Sequence, residues 1–427
     1  MNDRERWPEP PVRPGVYHYQ RLEGEWPTRF HLRVDPDGGG ILIANAAKGV
    51  SLSTSGVLMA HELLEGRAHQ SVITDVRRAF RGASYRQVED DVLQVKQVLA
   101  DLSAPGDKYP ISNLSEPGLT DWEREMAAPL RADIVQGPPD TVKQMLQVLW
   151  EAGVPHAMFL AQPGDEAAQL PHLVEAAEDI GMIAGLRSVA SWIGTDVVED
   201  SAMAGLDHLD LVYVSHVAGQ HDALAGAEDH DRVRDQIAQA KALELCPVAQ
   251  VPLMESNAVA VDEIAQELAK IEVANIVFYA LACPDDDEDA QTMGALPART
   301  LPQIAALIEE TSEDTLGRYL WAPPVRFDTS HTLAEQALAG PRTAGDVAIR
   351  VEADGSVFPP RGKKECAGNL LEDTWDTIWG SDCFRRYRER LEAPGRCRDC
   401  PDLLICAADC PKDPSGWSDD REGEEHQ

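Results

Sequence analysis

Six of the eight cysteines fall between Cys366 and Cys410, and none precedes Cys246. The segment CRDCPDLLICAADC sets Cys397, Cys400, Cys406 and Cys410 in the spacing CxxC, five residues, C, three residues, C. Two thiolates separated by two residues can chelate one metal from a tight turn, and later cysteines can complete its shell. Spacing does not choose between zinc and an iron–sulfur cluster, since both accept four thiolates in a tetrahedral arrangement. A redox-sensitive or disulfide pair is the plainer alternative. Cys246 and Cys283 stand alone beside apolar runs and read as small core residues. His216, His221 and His230 follow one such run, near Asp222, Asp229 and Asp231. They could form a metal or acid–base site, but a solvated loop is the expectation. His61 lies on the apolar face of a helical pattern and reads as a core histidine. The acidic run from Pro284 to Asp289 reads as a solvated loop.

These residues need elements to position them, and the sequence divides into three patterned regions. Residues 16–102 show three short strand patterns, FHLRV, ILIAN and GVSLS, with turn signals between them, followed by three amphipathic helices. That composition suits a small winged-helix-like domain. A linker rich in Pro, Gly and Ser spans 103–122. Residues 123–325 alternate strand and helix: RADIVQ, HAMFLA, IAGLRSVA, LDLVYVSHV, PVAQVPLM and NIVFYALA are the strand-like runs. Repeated strand–helix units predict an α/β fold with a parallel sheet. Six units suit a partial (β/α)6 TIM-like barrel, and a doubly wound open sheet would give the same pattern. Residues 345–412 open with a hairpin turning at Asp354-Gly355, continue through two short helices, and end in the cysteine cluster. The acidic tail, 413–427, reads as disordered.

The formal charge is −35, from 38 basic and 73 acidic residues. Such a surface repels nucleic acid and anionic membrane, so neither is an expected partner. No run approaches the roughly 18 apolar residues needed to span a bilayer. The N-terminal residues lack the apolar core of a signal peptide. A cytoplasmic protein with reduced thiols is expected, where clustered cysteines bind metal more often than they pair.

The C-terminal region resembles the SPASM domain of radical S-adenosylmethionine (SAM) peptide maturases. The residues that carry the resemblance are Asp354-Gly355-Ser356-Val357-Phe358-Pro359, Gly368-Asn369-Leu370, Trp375 to Trp379, Arg385 to Arg388 and the four clustered cysteines. The resemblance implies bound iron–sulfur clusters. Pro360 stands where the family has a cysteine, and none follows Cys410. Against that pattern ligands for two clusters are lacking, and one four-iron cluster, a zinc or an incomplete site is expected, with Cys366 and Cys383 as candidate extra ligands. The middle region is similar to the radical SAM partial barrel, with LWEAGVPHAMFL, LPHLVEAAEDIGM and LDLVYVSHVAGQHDALAG in order. The family's CxxxCxxC loop after the first barrel strand is replaced here by Gly137-Pro138-Pro139-Asp140, and its GGEP segment by Ala161 to Asp165. SAM is accordingly not expected as a cofactor. The N-terminal region is similar to the PqqD-like peptide-recognition domain, through Leu32-Arg33-Val34, Ile41-Leu42-Ile43, Gly49 to Ser53, Leu64-Glu65-Gly66 and Asp90-Asp91-Val92. That likeness implies that a peptide adds as a strand beside Gly49–Thr54, against the helix Arg86–Leu102. The contacting residues would include Val50, Ser51, Leu52, Val92 and Val95.

Together these resemblances imply a catalytically degenerate scaffold or accessory subunit. It would bind a precursor peptide or an active maturase and keep a metal at its C-terminus. The alternative is an enzyme that modifies peptides or transfers electrons, using an auxiliary cluster or a repurposed barrel face. Ser215, His216, His221, Asp222, Glu255 and Asn257 would lie near that face, at the C-terminal ends of the strands.

Overall fold

A computed structural model describes residues 10–23, 26–46, 48–103, 126–273, 275–315, 318–322, 324–340, 348–359 and 365–388. The described residues form two compact units, one within 1–130 and 147–155, the other within 131–146 and 156–427.

The first unit holds an antiparallel sheet in the order β1 (Gly15–Glu23), β2 (Trp26–Val34), β3 (Gly40–Ala44) and β4 (Lys48–Leu52). Three helices follow: α1 (Thr54–Leu64), α2 (His69–Ala79) and α3 (Tyr85–Ser103). Strand alternation sends Phe30, Leu32 and Val34 of β2 and Leu42 and Ala44 of β3 into one core with Val57, Leu63, Val72, Val76, Val88 and Val92. The Ser53 hydroxyl caps α1 by accepting from the Gly56 N–H. The sheet has one strand more than the three predicted. β1 pairs along β2 from Gly15–Val34 to Glu23–Trp26, and its Tyr17 and Tyr19 pack against the core. Its sequence, GVYHYQRLE, carries few aliphatic residues, so aromatic alternation is its only strand signal. His61, expected in the core, is half-buried beside the Tyr19 hydroxyl, which hydrogen-bonds its Nδ1.

The second unit alternates strand and helix as expected. Its elements are β5 (Arg131–Val135), α4 (Pro139–Ala152), β6 (His156–Leu160), α5 (Leu170–Ile180), β7 (Ile183–Ser188), α6 (Thr195–Met203), β8 (His208–Val212), α7 (Ala218–Ala225), α8 (Asp229–Ala242), β9 (Cys246–Leu253), α9 (Val261–Lys270) and β10 (Asn275–Cys283). The six strands pair in parallel in sequence order, which makes the partial barrel. α5 ends at Gly181, whose φ of 98° permits the left-handed cap. After β10 come α10 (Glu288–Thr292), β11 (Leu296–Pro297), α11 (Leu301–Thr315), β12 (Arg318–Trp321), β13 (Val325–Arg326) and α12 (Leu333–Leu338). β11, β12 and β13 all pair with β10. The C-terminal region supplies β14 (Ala348–Val351), β15 (Ser356–Phe358), β16 (Gly368–Asn369), α13 (Trp375–Trp379) and α14 (Asp382–Arg388).

The predicted hairpin is present as β14–β15, and its first strand has a second role. β14 pairs in parallel with β5, from Ala348–Arg131 to Val351–Ile134, so the hairpin extends the barrel sheet. The acidic run is more ordered than a free loop. Asp287 caps α10 by accepting from the Ala290 N–H, and Asp285 accepts from the Arg299 N–H at 2.9 Å.

The barrel's polar lumen and its rim

Along the six barrel strands the two faces differ in kind. Ala132, Ile134, Ala157, Phe159, Ala184, Leu186, Leu209, Leu211, Ala249 and Val251 occupy one set of alternate positions and are almost fully buried. The other set carries Arg131, Asp133, His156, Arg187, His208, Asp210, Gln250 and Asn275, also buried. Side chains of this second set bond to one another across strands, so they face the lumen while the apolar set faces the helices.

The lumen groups form two connected ion networks. Arg131 pairs with Asp133: its Nη2 donates to Oδ2 at 3.3 Å, and its Nε stands 2.7 Å from Oδ1 as an ion-pair contact. On the other side, His208 Nδ1 donates to Asp210 Oδ1 at 2.8 Å, and Gln250 Nε2 donates to Asp210 Oδ2 at 2.6 Å. His208 Nε2 stands 3.0 Å from His156 Nε2, so one proton serves that contact. Burial works to raise the Asp210 carboxyl. The charge and hydrogen bond of His208, with Arg187 and Arg131 beyond, outweigh it and hold Asp210 below the usual carboxylate range. Gly185 makes room for the histidine pair: a Cβ there would run into the His208 imidazole. Cys246 sits in the same lumen beside Asn275. Burial, helped by Asp210, pushes its thiol up to about 12, so it stays an unreactive thiol. Cys283 is buried too, as expected, and burial raises its thiol to about 11.

The sequence reading missed this network because it lies within runs read simply as apolar strands. The signal is a pair of charged residues two positions apart, Arg131 with Asp133 and His208 with Asp210, which strand geometry places on one face.

At the C-terminal ends of the strands, three residues, Gln136 to Pro138, separate β5 from α4. None is a cysteine or a carboxylate. The β7–β10 side of this face is packed with Val189, Val214, Met254, Tyr279 and Cys283, and α12 joins that cluster through Ala337, Leu333 and Leu338. The Tyr279 hydroxyl donates to the Ala337 carbonyl at 2.6 Å.

The rim residues proposed for a repurposed site mostly hold loops together. β8 ends at Val212, five residues before the predicted limit. Beyond it, Asn257 Nδ2 donates to the Val214 and Pro252 carbonyls at 2.7 and 2.8 Å, while its Oδ1 accepts from the Met254 N–H. The buried Ser215 hydroxyl donates to Gln220 Oε1. His221 is fully buried, not solvated as expected. Its Nδ1 accepts from the Val214 N–H at 3.1 Å, which places its proton on Nε2, donating to Asp229 Oδ2 at 2.8 Å. Asp229 also accepts from the Ser191 N–H. Asp222 accepts from the His230 N–H, the main cause of its lowered pKa. His230 is itself lowered, first by burial. His216 is half-buried and Glu255 exposed. These groups lock α7 and α8 onto the barrel and do not converge on one point.

The cysteines Cys397, Cys400, Cys406 and Cys410 lie outside the described residues. Cys366 is exposed, with its thiol 3.4 Å from the Gly368 carbonyl, and Cys383 is buried, its thiol raised by burial. No group of three or more metal-binding side chains occurs among the described residues. In the N-terminal unit, β4 is an edge strand, pairing among the described residues with β3 alone. Val50, Leu52 and Val95 are half-buried against the core, Val92 is buried within it, and Ser51 is exposed. No described helix is long and apolar enough to cross a membrane.

Comparison with known proteins adds three likenesses. Residues 343–401 match the SPASM family, described as an iron–sulfur cluster-binding domain. The match includes Cys366, Cys383, Cys397 and Cys400. The PqqA peptide cyclase of Bradyrhizobium diazoefficiens is 24% identical over 273 residues, covering 61% of this chain and 70% of its own. Among solved structures, Streptococcus suis SuiB bound to S-adenosylmethionine superposes with a TM-score of 0.57 at 11% identity, over 93% of this chain and 95% of its own. SuiB bound to its precursor peptide SuiA gives 0.54 at 11% identity over the same shares.

Proposed function

Because this chain belongs with the radical SAM/SPASM peptide maturases, we propose that it serves them as a cytoplasmic peptide-binding scaffold or accessory subunit without radical chemistry of its own. The carrying observation is the junction of Gln136 to Pro138, which passes from the first barrel strand to its helix with no thiolate. Reductive cleavage of SAM needs an iron–sulfur cluster with one iron open to the SAM amino and carboxylate groups. This junction has neither the length nor the ligands to hold one.

Binding falls to the N-terminal unit. An edge strand offers unpaired N–H and C=O groups, and an incoming peptide strand satisfies them while side-chain pockets give selectivity. β4 with Val50, Ser51 and Leu52, and α3 with Val92 and Val95, provide such a site. SuiB has been captured with its precursor peptide, SuiA, which supports a peptide as the partner class here. A neighbouring active maturase is a further partner. The C-terminal cysteines Cys397, Cys400, Cys406 and Cys410, with Cys366, would hold one iron–sulfur cluster or a zinc.

The test is metal and sulfide content with a visible spectrum on anaerobically purified protein, followed by incubation with SAM and dithionite. The scaffold reading expects about one zinc or about four irons per chain, and no 5′-deoxyadenosine. Formation of 5′-deoxyadenosine overturns it in favour of an active peptide-modifying enzyme. A cluster that bleaches on reduction without cleaving SAM would instead assign electron transfer.

A further inference from the structure

The upper lumen of the barrel is filled by the protein itself. On β10, Val277, Tyr279, Leu281 and Cys283 stand at the alternate positions that follow Asn275, so strand geometry turns them to the lumen side. They share one apolar cluster with Val212 of β8, Met254 beyond β9 and the fully buried Ala337 of α12. Leu333 and Leu338 of α12 pack against that cluster from half-buried positions. In (β/α) barrels this end of the strands is where ligands are received. Here α12 takes the place. Two glycines of left-handed backbone seat it, Gly294 with φ of 102° and Gly340 with φ of 84°. A Cβ would come 3.0 Å from Leu333 Cδ2 at the first and 2.9 Å from Arg187 Nη1 at the second.

The segment that carries α12 holds its own shape. Thr332 and Glu335 close a capping box. The Gln336 side chain accepts from the Asp328 N–H at 2.8 Å and donates to the Asp328 carbonyl at 2.9 Å. The Ser330 hydroxyl donates to Asp328 Oδ1 at 2.7 Å. On the N-terminal side, the last bond to the sheet runs from the Phe327 N–H to the Ala282 carbonyl. Between Phe327 and Gly340, the bond from the Tyr279 hydroxyl to the Ala337 carbonyl is the one hydrogen bond to the barrel among the described residues. The rest of the hold is apolar contact. An element whose polar groups are satisfied within itself can leave locally, at a free energy below that of global unfolding.

We propose that α12 is a releasable plug: it closes the mouth of the lumen against an incoming peptide, and its local departure between Phe327 and Gly340 opens that mouth. The open mouth presents Val214, Met254, Tyr279 and Cys283, an apolar wall suited to an aliphatic or aromatic side chain. The peptide as the excluded ligand rests on the partner class proposed above. The plug itself does not, because its opening is read with no peptide, metal or SAM present.

The experiment is a time course of alkylation by N-ethylmaleimide on the full-length protein, with each cysteine quantified by mass spectrometry across low urea concentrations. Cys283 reports the plugged mouth, and Cys246, beside Asn275 at the other end of the lumen, is the internal control. In wild type, Cys283 should react faster than Cys246 and with little dependence on urea, the mark of a local opening that exposes little surface. Tyr279→Phe should speed Cys283 about fivefold, the loss of one buried hydrogen bond, and its rate should stay insensitive to urea. Ala337→Glu places a charge in the apolar contact and should speed Cys283 further; the phenylalanine variant covers the case in which this one does not fold. A common rate and a common, steep urea dependence for Cys283 and Cys246 would mean that α12 leaves only on global unfolding, which overturns the plug. An unchanged Cys283 rate in Tyr279→Phe also overturns it, since the opening would then lie in some other segment.

Discussion

Replacing Gly185 with alanine tests whether the histidine pair is a tightly built part of the barrel. Gly185 does not occupy a positive-φ region, so alanine suits its strand backbone and should by propensity be neutral or mildly favourable. The lumen argues the opposite. The new methyl would overlap the His208 ring and approach Met158 Cε at 3.0 Å. Relieving the overlap means moving His208 away from Asp210 and His156, which now lie at 2.8 and 3.0 Å. Overpacking a dense interior costs about 1–3 kcal/mol, and loss of a buried hydrogen bond to a charged group roughly 1.5–3 more. The expected destabilisation is therefore about 3–5 kcal/mol, a large share of the ~5–15 kcal/mol that holds a typical domain. Urea denaturation followed by circular dichroism reads it directly. A cycle with His208→Ala isolates the cause, because the methyl fits where the imidazole has gone. The double variant should be more stable than additivity predicts by at least about 2 kcal/mol. A Gly185→Ala protein within about 0.5 kcal/mol of wild type, or strict additivity in the cycle, would refute the reasoning.

Three further outcomes are expected. Asp210 has its carboxyl held low in the folded protein, so its contribution is fully present above the unfolded carboxyl value of about 3.9 and disappears as pH falls through its folded value. Asp210→Asn should accordingly be less stable than wild type at pH 7, with the gap narrowing below about pH 4 in urea titrations at each pH. Tyr279→Phe removes one buried hydrogen bond to Ala337 and should cost about 1 kcal/mol, with faster amide exchange across 333–340 as the discriminating readout. Peptides selected by display on the wild-type chain should bind Leu52→Asp at least about tenfold more weakly, a charge placed at an apolar contact of β-augmentation; equal binding would move the peptide site away from β4.

Much of the barrel was legible because strands covered on one face by helices read as apolar runs, and each run is separated from the next by an amphipathic helix. HAMFL, CPVAQVPL and NIVFYALAC all appear as strands within a residue or two of expectation. β8 was over-extended because Tyr213 and Val214 continue its apolar run. Tyr213 still donates its N–H to the Gln250 carbonyl of β9, and the course changes at Val214, whose N–H and carbonyl are taken up by His221 and Asn257. Such side-chain-to-backbone bonds depend on residues that folding alone brings near. The lumen was hidden for a related reason: a single histidine or arginine in a hydrophobic run carries no sign of which partner it will find. His156 and His208 are far apart in sequence and meet only because β6, β7 and β8 pair side by side around Gly185.

The pairing of β14 with β5 sets a limit on how the chain can be made and cut. Arg131 finds its neighbour at Ala348, so the leading edge of the barrel stays bare during synthesis until the C-terminal hairpin emerges. Until then β5 presents unpaired N–H and C=O groups, a template for pairing with other chains, and the late long-range contact slows completion of the sheet. A fragment ending after α12 would carry that open edge permanently. The barrel and the β14–β15 hairpin thus fold as one unit: a chain truncated between them would leave an aggregation-prone barrel edge.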